Sequence, residues 1–375
     1  MIAVTEHVAL EPADVVRSGD AAEAFPDVFL ERTAFERALT FPTGRAALWY
    51  ALEDAGLDPT DEVLIPSFTD LSVKRAVERV ARPVPVDVEP GGYNIDLDDA
   101  EERVTDRTAA IVPTHLWGEP IDMEAVAAFA AEHGLLVIED GAHALGTTYT
   151  SDLVGRYSDY CLFSFRFTKE VTAYKGGLLL LPDGSTPSRS RREKGDRLSL
   201  AKLGGIMALS GVLESMPGRL YHPLRNRVLN PYFRTSAGRV TDVELRQLSA
   251  RERSLLAEQY ERLDDRVRIR RRHASRYDEL LDETLERPPS NPDHGYFRYS
   301  LRVPASKRDS LYCALQRRGI GCSKSYSYTV SPSGECPEAD RAADRVLNLP
   351  VHAGLDDEDA ERIVDVVNAA WVEVA

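Results

Sequence analysis

Between residues 44 and 180 short apolar runs alternate with amphipathic stretches, and this alternation limits the possible folds more than any other feature of the chain. Helical periodicity over 46–57 is followed by a strand-like run at 62–65. A second helical stretch, 72–80, leads to a run at 83–87. Runs at 109–113, 135–139, 160–163 and 177–181 read as further strands, with 123–133 as a helix among them. Such β/α alternation implies a mostly parallel sheet with helices on both faces. Ligands on sheets of this kind sit past the carboxyl ends of the strands. Asp140 and the turn before Gly44 both fall at such ends. A chain of 375 residues is comfortable for two domains, and 43% hydrophobic residues allow a sizeable core.

Lys169 stands out among these runs. It closes Phe163-Ser164-Phe165-Arg166-Phe167-Thr168-Lys169, shortly before Gly176-Gly177. Only seven of the 46 basic residues are lysines; the other 39 are arginines. With that bias, a lysine beside an apolar strand is a candidate for its amine rather than its charge. Arginine does not deprotonate or form a Schiff base, whereas a lysine with a lowered pKa does. A surface lysine that drifted in is the alternative.

An acid lies upstream. Leu135-Leu136-Val137-Ile138-Glu139-Asp140 reads as a buried strand that ends in a carboxylate, 29 residues before Lys169. Pyridoxal phosphate chemistry needs this pair. A lysine amine holds the cofactor's aldehyde, and an acid keeps its pyridine nitrogen protonated, so that the ring can take up electrons. His143 follows three residues after Asp140, within reach of the ring or its phenolic oxygen.

These blocks resemble the DegT/DnrJ/EryC1/StrS family of sugar aminotransferases. The resemblance runs from about residue 40 to about residue 370. It is carried by Thr43-Gly44-Arg45-Ala46-Ala47-Leu48, Asp61-Glu62-Val63-Leu64-Ile65-Pro66-Ser67-Phe68-Thr69, Tyr93-Asn94-Ile95-Asp96 and His115-Leu116-Trp117-Gly118-Glu119-Pro120. Glu139-Asp140, Ala142-His143-Ala144, Ser164-Phe165 with Lys169, and Val346-Leu347-Asn348-Leu349-Pro350-Val351-His352 complete it. The resemblance implies an α/β fold of the PLP-dependent transferase type I. Its large domain would hold a mostly parallel seven-stranded sheet flanked by helices, with a smaller C-terminal α+β domain beside it. It also implies a cytoplasmic homodimer with active sites at the interface. The reaction implied moves an amino group from glutamate or glutamine to a keto sugar, usually nucleotide-linked. Lys169 would hold the cofactor, Asp140 would pair with its ring nitrogen, and His143 would position the ring. Tyr326 and His352 are candidates for the substrate side; a loop tyrosine and a packed histidine are the alternatives.

The residues themselves agree. Gly44 permits a tight turn into the helix that begins at Ala46, and backbone N–H groups at a helix start form a ready phosphate site. Ser164 is placed to add a hydroxyl to the same phosphate. An ordinary helix start and a strand-end serine are the plain alternatives. The chain also departs from the family pattern. Asp70 stands where an aromatic residue usually stacks on the cofactor, which leaves Phe68 or His143 for that role. Lys175 in Tyr174-Lys175-Gly176-Gly177 reverses a charge. Ala237 replaces an asparagine that reaches the neighbouring subunit's phosphate, and Arg45 is a candidate to supply that charge instead. These changes keep open a PLP enzyme of another reaction type (elimination, decarboxylation or aldol-type), or a non-catalytic partner protein on the same scaffold.

The remaining features set bounds. A net charge of −15 and a pI near 5.1 argue against general nucleic-acid binding. Cys161, Cys313, Cys322 and Cys336 form no Cys-x-x-Cys pair, so no metal site is expected and reduced thiols are. The first residues carry no basic n-region or long apolar run, so neither a signal peptide nor a membrane span is expected. The domain expectation is 1–240 for the large domain, 241–285 for a long connecting helix and 286–375 for the small domain. The connecting helix is read as opening on a capping box at Thr241–Glu244. Within the large domain, 185–235 is least family-like. Its basic and apolar stretches suit an active-site flap or dimer-contact helix, or a surface that rests on a partner or membrane. In the small domain, 296–303 and 320–325 read as strands, and 308–318 and 356–369 as helices.

Overall fold

The computed structural model of the protein describes residues 25–150, 152–182, 192–193 and 246–374. In chain order the elements begin with α1 (Asp27–Leu30), β1 (Arg37–Phe41), α2 (Gly44–Asp54), β2 (Glu62–Pro66), α3 (Leu71–Val77) and β3 (Arg82–Val86). Then come α4 (Leu97–Arg103), β4 (Thr108–Ile111), a 3₁₀ turn (Leu116–Gly118), α5 (Met123–His133), β5 (Leu136–Asp140), and the short β6 (Thr148–Tyr149) and β7 (Asp152–Leu153). β8 (Tyr160–Ser164) and β9 (Gly177–Leu181) follow, then β10 (Arg192–Glu193) and β11 (Arg246–Gln247). The C-terminal part holds α6 (Ala250–Tyr260), α7 (Leu263–Leu280), β12 (Tyr299–Arg302), α8 (Ala305–Arg317), α9 (Pro337–Arg345), β13 (Val346–Leu349) and α10 (Asp357–Val374).

Seven strands form one sheet in the order β1-β9-β8-β5-β4-β2-β3. β9 runs against both its neighbours, and the remaining pairs from β8 to β3 are parallel. Both faces are covered. Leu178–Leu181 of β9 are therefore all apolar and all wholly buried, without the alternation of a half-exposed strand. Each such leucine contributes about 1.5–3 kcal/mol by leaving water. One face packs on α2 and α3. The other packs on α4 and α5 at one end, and on α1, α6 and the start of α7 at the other. A second core, built from the end of α7 with β12, α8, β13 and α10, forms the C-terminal α+β unit. Asp87 ties the two together: its carboxylate accepts the Glu338 and Ala339 N–H groups at the start of α9 (3.0 and 2.7 Å).

The α/β architecture and the parallel core of the sheet follow the sequence reading. Two local expectations do not hold. The connecting helix is two helices, interrupted at Glu261 and Arg262, because α6 packs on the first core and α7 turns toward the second. Thr241–Glu244 lie outside the described residues. The capping box that is seen is Ser249 with Glu252, where the Ser249 hydroxyl accepts the Glu252 N–H (3.3 Å) and the Glu252 carboxylate accepts the Ser249 N–H (3.0 Å). Residues 320–325 are not a strand. Ser323 exchanges both backbone hydrogen bonds with Asn348 at a single bridge, and the Cys322 N–H is already turned back onto Ile320 O. The segment expected as a flap, 185–235, lies outside the described residues except for β10.

Candidate active site

The strand ends that matter meet at one edge of the sheet. β1 leads into the Thr43–Gly44 turn, β2 into Phe68–Asp70, β5 ends on Asp140 and β8 on Ser164. β9 runs the other way, so its first residue, Gly177, lies at the same edge opposite Phe41 and Ser164. The crowding explains two glycines. A Cβ on Gly177 would lie 2.4 Å from Thr43 O, and one on Gly44 would lie 3.1 Å from the Ser164 Cβ. Thr43 caps α2 by accepting the Ala46 N–H on its hydroxyl (3.2 Å). Gly44 and Arg45 open α2 at its positive end, and Gly44 lies against Ser164. Arg45 lies among the charges of Asp70, Arg75 and Arg166, and burial is what most lowers its pKa.

Lys169 sits in the loop that joins β8 to β9. Phe165 N–H donates to Gly176 O (2.9 Å) and Phe167 N–H to Tyr174 O (3.1 Å), so the loop starts as a pinched hairpin. The Lys169 amine lies 4.6 Å from the centre of the Phe297 ring. Burial pushes that amine down from an ordinary 10.5 to about 7. The Asp140 and Asp70 carboxylates oppose the shift, and the Arg166 and Arg298 cations add to it. Part of the side chain remains open to solvent, so water moderates these charges.

Asp140 is 4% exposed. Burial raises its pKa, while the Ala142 N–H on its Oδ1 (2.9 Å) and the Lys169 charge pull it back. The two groups titrate against one another as a pair. His143 is buried, with its ring 4.5 Å from Phe297 at 20° and 5.1 Å from Trp117 at 14°. Burial, then the cations Lys169, Arg298 and Arg166, hold its pKa well below the usual histidine value, so the ring is neutral at pH 7. Trp117 stands in the left-handed region (φ 59°), which non-glycine residues seldom occupy and which clusters at functional sites.

The structure therefore brings together Lys169, Asp140 and His143, with Tyr326 beside them. The Tyr326 ring is 5.3 Å from Trp117 and 6.4 Å from His143, and burial followed by the Asp70 charge raises its phenol. Gly44 and Ser164 form a second group at the same edge, and Arg45 joins them through the charges it shares with Asp70 and Arg166. Phe68 has no exposed surface. It packs on Tyr93 (5.5 Å, 27°) and meets Tyr326 edge-on (6.2 Å, 77°), which makes it part of the wall. His352 is buried in the turn after β13, where its Nδ1 accepts the Gly354 N–H (3.2 Å).

Sequence reasoning did not find Arg166, Phe297 or Arg298 as site residues. Arg166 sat inside a quoted block, but nothing in the spacing brings Phe297-Arg298 to residue 169. Asp70 acquires a local reason. Its carboxylate accepts the Ser72 N–H (2.7 Å) and caps α3. Burial works to raise its pKa, but the Ser72 hydrogen bonds and the Arg166 and Lys169 charges more than offset that.

A tuned amine facing a buried carboxylate, a neutral imidazole alongside, and a glycine-lined helix start with a hydroxyl next to it are the donor set that pyridoxal phosphate requires. Fold and donor set place the chain in the fold type I class of PLP-dependent enzymes. A profile of the DegT/DnrJ/EryC1/StrS aminotransferase family matches residues 4–368, and the chain belongs to that family. It is a PLP-dependent aminotransferase by that membership. It is 31% identical over 342 residues to a pleiotropic regulatory protein of Geobacillus stearothermophilus, covering 86% of this chain and 82% of the relative. It is 27% identical over 365 residues to the GDP-perosamine synthase of Caulobacter vibrioides, covering 93% and 89%. Among solved structures it resembles the aminotransferase TlmJ of Streptoalloteichus hindustanus, with a TM-score of 0.77 and 26% identity over the whole of both chains.

Proposed function

We propose that the protein transfers an amino group from glutamate or glutamine to a nucleotide-linked keto sugar, with PLP held at Lys169. The observation that carries this reading is the Lys169–Asp140 pair: an amine brought to about 7 beside a buried carboxylate at the sheet's carboxyl edge. When bound, the cofactor supplies the electron sink. The chain's residues do the rest. Near neutral pH Lys169 holds or releases a proton with little bias, which suits a group that must both take and return one at the substrate carbon. Asp140 offers its carboxylate to the pyridine nitrogen. His143, uncharged, flanks the ring. The first amides of α2, the Ser164 hydroxyl and the Arg45 guanidinium hold the phosphate. Tyr326 faces the substrate.

In this reading residues 1–240 bind the cofactor, and 286–375 form the smaller domain that helps enclose the sugar. The protein acts as a homodimer in the cytoplasm. Four cysteines without a disulfide suit a reducing compartment. Among the described residues no helix is long and apolar enough to cross a membrane.

The test is the near-visible absorption of the purified protein with added PLP, for wild type and Lys169→Ala, before and after glutamate. A yellow band in wild type alone that bleaches with glutamate supports transamination. A Lys169-dependent band indifferent to every amino donor would shift the reading to another PLP reaction. Trials with UDP- and GDP-linked keto sugars then identify the acceptor.

A further inference from the structure

Glu170, the residue after Lys169, points the other way. Its carboxylate is sealed against the wholly buried guanidinium of Arg270 on α7 (3.1 Å), and Glu170 itself is 5% exposed. Arg270 also donates to Leu145 O (3.1 Å), just past the His143 turn. Arg266, one turn earlier on α7, donates to the backbone oxygen of Glu170. On α6, Gln259 grips Thr172 at two points: its Nε2 donates to Thr172 O (2.8 Å) and its Oε1 accepts the Thr172 N–H (3.1 Å). The Thr172 hydroxyl donates to Phe165 O (3.1 Å), which closes the loop on itself. Three buried polar side chains from one helix pair thus hold the residues on either side of position 171, directly after the lysine.

Burying such groups is costly, and a buried ion pair is weak support for stability because apolar replacements often do as well. A gain in positional definition accounts for their presence. α7 continues into the second core, where the Tyr277 hydroxyl donates to Pro350 O (2.8 Å), so the clamp is anchored at both ends. Resting on the reading of Lys169 as the cofactor lysine, we propose that Gln259, Arg266 and Arg270 with Glu170 are positioning residues that hold the Lys169 loop so its amine stays recessed beside Asp140. None of them touches the reacting atoms.

The test uses the full-length chain carrying Glu170→Met with Arg270→Met, which removes both charges together. The readout is the pH dependence of Lys169 acetylation by acetic anhydride, resolved by peptide mass spectrometry and read beside the thermal midpoint. Wild type is expected to show a labelling midpoint near 7. The double variant is expected to keep a cooperative thermal transition while its labelling midpoint rises by about one pH unit, as the amine swings toward water. A wild-type labelling midpoint in a folded double variant overturns the proposal and makes the pair merely structural. Should the double variant fail to fold, Gln259→Met decides on the same readout, and an unmoved midpoint there overturns it equally. Labelling needs no cofactor. A wild type that develops no absorption band with PLP sinks the functional reading, whereas an unmoved labelling midpoint sinks the clamp.

Discussion

In the C-terminal unit buried polar groups are matched to quiet partners. The Tyr299 hydroxyl donates to Asp278 (2.6 Å), the Trp371 indole N–H to Thr284 (2.8 Å), and Ser300 to Asn348, whose own amide donates to Ser325 O. At the sheet edge the polar groups are matched to each other's charge: two carboxylates and two arginines act on one amine, and burial brings it to about 7. The first arrangement defines a single packing. The second leaves a group poised between protonation states. Residues 169 and 170 show both within one peptide bond, the lysine left responsive and the glutamate locked.

The contrast is broken most severely by Lys169→Ala. Amino transfer should fall by at least about 10³-fold, since both the covalent attachment and the proton carrier are lost. The assay is turnover of donor to 2-oxoglutarate, with circular dichroism showing an intact fold. Arg270→Met alone should be next. It leaves Glu170 buried without its partner and should cost about 3–5 kcal/mol in urea unfolding, more than the paired replacement does. Leu301→Ala should cost about 2–5 kcal/mol by opening a cavity in the second core. It should leave the labelling midpoint of Lys169 where it was, and a moved midpoint would show that the two regions are not separable in this way. Gly177→Ala should cost about 1–3 kcal/mol, because its methyl meets Thr43 O, and should weaken phosphate retention through the displaced turn.

A further effect is in the pH dependence of the apoprotein. Lys169 binds its proton less readily folded than unfolded, so its full penalty applies below about 7 and is relieved as pH rises toward 10.5. Lys169→Met should therefore stabilise the apoprotein most near pH 6 and not at all above 10.5. A stability difference that ran the other way would mean the amine is not recessed in solution.

Most of the candidate site was legible from the chain because its chemistry is local in sequence. Lys169, Asp140 and His143 end or follow apolar runs, Gly44 opens a helix, and each residue type has few other uses at such a place. The helix over 123–133 and the strand over 177–181 fall where the periodicity set them. The misreadings share a cause. Whether residues 250–280 form one helix or two, and whether 320–325 pair, depends on neighbours far along the chain. Those segments have the propensity for either outcome, and tertiary packing decides.

The amino-acid sequence alone determined the β/α order, the edge of the sheet that carries the candidate site, and the lysine–acid pair, because these follow from periodicity and side-chain chemistry. Only the tertiary structure decided that Phe297 stands over the lysine with Arg298 on the same ring, that Asp70 faces the amine, and that Glu170 is clamped by α7 and Thr172 by α6. Those contacts join residues roughly 90 positions or more apart, and no local pattern encodes a distance that folding alone brings to a few ångströms.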